Sequence, residues 1–202
     1  MFDRPAPPHP SGVVRAPLDR PDRVALGIDP GLSRCGYGVV RRAGPDLEVI
    51  DAGLLRTPPT DPLAGRLAQL AGEVEALVAA HAPDAVVVER VLFQHNARTA
   101  MSVGQASGVA LVAAARAGVP VAQVSPNEVK LAVTGDGAAA KAQVQAMVSR
   151  LLHLAVPPPP DVADALALAC CHLWSSGLRA LRPASSGARE RAIAAAVARE
   201  GP

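Results

Sequence analysis

The chain predicts an α/β protein with a central mixed five-stranded sheet flanked by helices, and three observations carry that expectation. RVALGIDPGLSRCGYGVVRR (residues 23–42) reads as two short strands around a Gly/Pro/Ser turn, a hairpin signal. AVVVERVLF (residues 85–93) opens as a continuous β-branched run, which suits a strand buried on both faces of a parallel sheet. Helical periodicities separate the later strands, and a hairpin followed by alternating strands and helices gives a mixed sheet with helices on its faces.

At 202 residues, half of them apolar, the chain is long enough for one well-buried domain plus tails. Its net charge of +2 permits an anionic partner without requiring one. Cys35, Cys170 and Cys171 match neither a zinc spacing nor a disulfide framework, so a reduced, cytoplasmic protein is expected. The first residues lack the apolar core of a signal peptide, and no uncharged run is long enough to span a bilayer, so no membrane partner is expected.

Residues 1–23, rich in Pro and Arg and without periodicity, read as a disordered extension. The folded domain is expected over 24–178, with 179–202 a flexible tail. A third strand, LEVIDAGLLRT, follows a turn at Gly44 and Pro45. Leu63, Leu67, Leu70, Val74 and Leu77 recur at helical spacing and predict a helix over 63–81. An Ala-rich helix is expected over about 97–117, ending at Gly118, and VPVAQVS is the next strand. SPNE opens a helix with Ser125 as N-cap, Pro126 at the first position and Glu128 completing a capping box. A loop, TGDGAAAK, leads to a helix over 141–154, and a proline run precedes the apolar helix DVADALALACCHLW.

Chemistry gathers at the ends of these elements. Asp29 closes the first strand, on one face with the small residues Ala25 and Gly27, which leaves room above it. Glu89 is the first polar residue of the buried strand, placed where ligands of open α/β sheets bind. Asp161 and Asp164, three residues apart, share one helix face at the first turn. Each also has a plain structural reading: a turn acid at Asp29, a solvated strand end at Glu89, and capping at Asp161 and Asp164. Clustered, the four would repel one another unless a cation sat among them, and a hard, oxygen-preferring ion is its natural occupant. Two such ions, Mg²⁺ or Mn²⁺, can activate a water and stabilise the leaving oxygen of a phosphodiester.

GIDPGLSRCGYGV, VVVERVLFQHNARTAMSVGQASGVALVAAA, KAQVQAMV and DVADALALA, in this order from about Val24 to Trp174, resemble the RuvC-type Holliday junction resolvases. The resemblance implies an RNase H-like fold and a homodimer that nicks two opposing strands of a four-way DNA junction in recombination and repair, leaving ligatable ends. It implies that Asp29, Glu89, Asp161 and Asp164 are the metal-binding, catalytic acids and that a branch-migration motor complex is a partner. Lys130 and Lys141, the only lysines in the chain, match family positions that contact DNA, and Arg98 joins them as an expected DNA contact. Leu92 stands where some relatives place an aromatic at the junction centre, with Phe93 next to it, and one or the other is the expected contact. His153 and His172 are read as structural, and Asp136 as a turn residue.

Two other readings are open to the sequence. An actin-like or sugar-kinase ATPase also begins with a strand and a GIDxG-like turn, but it leaves Glu89 and the paired aspartates idle. A scaffold that only recognises junctions would bind without cleaving.

Overall fold

The computed structural model describes residues 23–90 and 97–181, apart from the side chains of 97–99 and 177–181. The N-terminal segment 1–22, Leu92, Phe93 and the segment 182–202 lie outside the described residues, as does the side chain of Arg98.

Strand β1 (Val24–Asp29) is followed by β2 (Arg34–Ala43), β3 (Asp46–Arg56), helix α1 (Leu63–His81) and β4 (Ala85–Glu89). Helix α2 (Ala97–Arg116), β5 (Val121–Val124), α3 (Pro126–Thr134), α4 (Lys141–Leu151) and α5 (Pro160–Leu181) complete the order. The strands lie in the order β3-β2-β1-β4-β5, antiparallel from β1 through β3 and parallel from β1 through β5. This is the mixed five-stranded sheet flanked by helices that the strand pattern predicts.

Alternation along the strands divides the core into two layers. Leu26 and Ile28 of β1 and Val86 and Val88 of β4 pack with Leu70, Val74 and Val78 of α1 and with the small residues Ala106, Ala110 and Ala113 of α2. Ala25 and Val87 face the other way, against α3, α4 and α5, where Val129, Val148, Leu166 and Leu173 are buried.

Several elements differ from their sequence expectation. Leu63 is 44% exposed, because the buried stripe of α1 begins about two turns later, at Leu70. Helix α4 stops at Leu151 rather than 154: His153 takes a left-handed conformation (φ 51°), its N–H bonds the Arg150 carbonyl, and the Leu154 N–H bonds the Ser149 carbonyl. That is a Schellman stop with histidine where glycine is usual. Strand β4 ends at Glu89, and α5 runs past Trp174 to Leu181. Helix α3 opens as expected, with the reciprocal Ser125 and Glu128 bonds of a capping box.

The approach of α5 to the sheet sets where its first-turn acids stand relative to the strand ends. A Cβ on Gly27 would lie 2.0 Å from the Ala165 carbonyl oxygen, one on Gly36 2.0 Å from the Asp161 carbonyl oxygen, and one on Gly38 2.7 Å from Leu166 Cδ2. Gly27 and Gly38 are register partners, and Gly36 pairs with Asp29. The three glycines thus form one bare patch on which the helix backbone rests, and no larger residue fits there.

Gly27→Ala is therefore expected to destabilise the protein by about 3 kcal/mol or more, because backbone cannot yield as a side chain does. Gly72, in α1 with nothing within 4 Å of its would-be Cβ, is the control: Gly72→Ala is expected to stabilise by about 0.5–1 kcal/mol. Urea denaturation of both variants checks the contrast.

Candidate active site

Two strand ends supply the first pair of acids. β1 and β4 run parallel with Ile28 opposite Val88, so the next residues, Asp29 and Glu89, emerge side by side at the carboxyl edge. Both follow residues of the α5 face, Gly27 and Val87, and so they project toward that helix. Helix α5 supplies the second pair. It opens at Pro160, which makes Asp161 its second residue, and the Pro159 carbonyl accepts from the N–H groups of Val162 (3.0 Å) and Ala163 (2.9 Å). Asp161 is therefore inside the helix and not its N-cap. Because its backbone sits over Gly36, opposite Asp29, the glycine patch delivers Asp161 and Asp164 to the strand ends.

Charge in this cleft is strained. Burial, then the charges of Asp164 and Glu89, push the Asp29 carboxyl from 3.8 up to about 7, against the opposing pull of Lys141. Glu89 is raised as well, by burial first and then by Asp164. Two cations counter the helix acids. Arg34 donates from Nε to Asp161 Oδ2 at 2.8 Å, and its Nη2 forms an ion-pair contact with the same oxygen at 2.8 Å. Lys141, the first residue of α4, pairs with Asp164 Oδ2 at 2.5 Å, and that hydrogen bond raises its own pKa. With these pairs in place, no three His, Cys, Asp or Glu among the described residues stand close enough together to hold a metal ion. The donor chemistry nevertheless fits a hard divalent cation: four carboxylates, half-buried and short of positive charge.

The turn after Asp29 is pinned from behind. Thr57, 3% exposed, donates through Oγ1 to the Leu32 carbonyl, and Arg66 of α1 donates from Nε to Thr57 Oγ1 and from Nη2 to Ser33 Oγ. These contacts, and Arg34, are absent from a reading of the sequence alone. Arg34 had a usable signal: it is two residues from Gly36, so period-two alternation puts it on the α5 face.

Lys130 lies on α3 and forms no ion pair among the described residues, so the structure does not join it to the acids. Asp136 is a turn residue as expected, its Oδ1 accepting from the Ala138 N–H at 2.8 Å. His153 serves the α4 stop.

The family model of crossover junction endodeoxyribonuclease RuvC matches residues 25–172. The chain belongs to the RuvC family. A RuvC from Salinispora arenicola is 56% identical over 168 residues, covering 82% of this chain and 95% of its own. Another, from Streptomyces coelicolor, is 55% identical over 151 residues, covering 74% of this chain and 80% of its own. Among solved structures, Thermus thermophilus RuvC in complex with a Holliday junction substrate superposes with a TM-score of 0.73 at 37% identity, covering 78% of this chain and 97% of that one. The yeast mitochondrial Holliday junction resolvase shares the fold, with a TM-score of 0.58 at 14% identity, covering 83% of this chain and 86% of its own. The RNase H-like fold of these resolvases is the fold of this chain. Among the described residues, no helix is long and apolar enough to cross a membrane.

A carboxyl raised in the folded state stabilises the fold only while protonated, so the Asp29 contribution is full below about pH 4 and lost as pH rises through about 7. In EDTA, the melting temperature of the parent is expected to fall over that window relative to Asp29→Asn, by on the order of 5–10 °C. Added Mg²⁺ at pH 7 restores it. Parallel melting curves for the two proteins in EDTA would show that Asp29 is not the strained group.

Proposed function

We propose that this chain resolves Holliday junctions by paired symmetric nicks, using a divalent-cation site formed by Asp29, Glu89, Asp161 and Asp164. The observation that carries this is the meeting of four carboxylates from two strand ends and one helix turn, in surroundings that push Asp29 up to about 7 in the absence of a cation. All-oxygen donors favour Mg²⁺ or Mn²⁺ over softer metals, and four carboxylates provide for two ions per site. Bound there, such ions supply Lewis-acid activation of water and charge stabilisation at the leaving oxygen, which yields a 5′-phosphate and a ligatable nick.

The chain's own residues bind and orient the DNA. Lys141 stands beside Asp164 at the edge of the cleft, and with Lys130 and Arg98 it positions phosphates rather than reading bases. One of Leu92 and Phe93, which follow Glu89 closely in sequence, supplies an apolar contact for the bases at the junction centre. The junction-bound T. thermophilus relative supports this choice of substrate.

A homodimer matches two identical sites to the symmetry of a four-way junction. Helix α2 supports it: Met101 is 66% exposed and Val112 51% exposed on a helix otherwise rich in alanine and glycine. The setting is recombination and repair in the cytoplasm, with a branch-migration motor complex as partner.

A labelled synthetic four-way junction is compared with linear duplex of the same sequence in Mg²⁺, Mn²⁺ or EDTA. Paired nicks that need both junction and metal are expected. Glu89→Gln is expected to keep junction affinity and lose cleavage by about a thousandfold or more, since a metal site supplies several kcal/mol of barrier lowering. Cleavage undiminished by Glu89→Gln would remove this site from the mechanism, and equal nicking of linear duplex would remove the substrate.

A further inference from the structure

Two cations stand against the helix acids, and the function proposed above gives a task only to Lys141. Arg34, the first residue of β2, has none. Its guanidinium is half-exposed, with 48% of the side chain accessible against 28% for Asp161, and its one hydrogen bond and its ion-pair contact both go to the single oxygen Asp161 Oδ2. An ion pair so open to water is weak. A divalent cation that binds Asp161 replaces the guanidinium's charge and repels it. The displaced guanidinium is tethered at a strand end beside the cleft where the DNA backbone must lie, and its planar fork suits a phosphate.

We propose that Arg34 is a mobile counter-ion, which holds Asp161 in the cation-free protein and turns to a backbone phosphate of bound DNA when a divalent cation takes the carboxylate. The proposal rests on metal-dependent junction cleavage by this site. It makes Arg34 a positioning residue for Asp161 in one state and a phosphate contact in the other. Lys141 belongs to the same balance at Asp164, but on α4, and it is left in place in the test.

The test reads binding, not turnover. With all four acids intact, affinity for a junction carrying hydrolysis-resistant phosphorothioate linkages at the nick sites is measured against salt concentration with Arg34 kept or changed to Gln, once in Mg²⁺ and once in EDTA. Each phosphate contact contributes about one unit to the slope of log affinity on log salt. Arg34→Gln is expected to lower the slope by about one in Mg²⁺ and to leave it unchanged in EDTA, and Arg34→Lys to retain the slope in both. In otherwise unmutated protein without DNA, calorimetry is expected to show Mg²⁺ binding tightened about two- to fivefold by Arg34→Gln, as the competing cation is gone.

A slope unchanged in Mg²⁺, or lowered equally in both conditions, overturns the exchange of partners. Weakened Mg²⁺ binding overturns it too, because Arg34 would then be a fixed support for Asp161. A parent protein that fails to cut the junction in Mg²⁺ overturns instead the function on which the proposal rests.

Discussion

The contact on which the rest depends is that of a helix backbone on bare strand backbone. Helix α5 lies against β1 and β2 at Gly27, Gly36 and Gly38, at distances that no Cβ permits. An ordinary helix on a sheet stands off by the length of two side chains, and at that distance its first-turn carboxylates would miss the strand ends. The glycine patch removes that spacing locally. Further along, the helix is held by ordinary packing: Leu173 is fully buried, contributing about 1.5–3 kcal/mol.

That packing works against electrostatics. Four acids brought together in a half-buried cleft repel one another, and the chain answers with two different devices. Asp161 and Asp164 receive the counter-ions Arg34 and Lys141. Asp29, deepest in the arrangement, has no cation bonded to it among the described residues, and its proton affinity rises instead to about 7. A cation bound as proposed would therefore exchange charge at three of the four acids, replacing a proton at Asp29 and a side-chain cation at each helix aspartate. The cost of assembling the acids is carried by the apolar faces of α5 and of the two parallel strands, which is why the acids occupy the ends of core elements rather than loops.

Much of this was legible in the chain because local and long-range signals agreed. The β-branched run of β4, the capping box at Ser125, and the face shared by Ala25, Gly27 and Asp29 each rest on a period or a short-range bond, and each is present. The boundaries that differ were set by tertiary context. The α4 helix ends where His153 accepts a left-handed conformation that composition does not announce, and Leu63 has no core beneath it although its spacing fits one. At the site, the acids were readable as strand-end and helix-start residues. The face of Arg34 followed from alternation but its partner did not, and Thr57 and Arg66 gave no signal, because the partners Asp161, Leu32 and Ser33 come near only through strand register and helix docking. The meaning of the glycines was half visible. Alternation showed room above Asp29, but not that a helix backbone fills it.

The same contact limits how the site can change. Asp29 and Glu89 are locked relative to each other by the β1–β4 ladder, and Asp161 and Asp164 by one turn of helix. The two pairs are joined through backbone in contact with backbone, so α5 cannot move closer, and moving away would uncover Leu166 and Leu173. Yet the acids do not stand at coordination distance while Arg34 and Lys141 are bound to them. Closing a shell around the proposed cation would then have to come from rotation of the carboxylates themselves, once the guanidinium and the ammonium let go. Side-chain rotation takes picoseconds to nanoseconds at exposed positions, whereas helix shifts take microseconds or longer. On the proposed reading, a rigid frame with movable counter-ions would let a metal site form quickly on a scaffold that itself stays still.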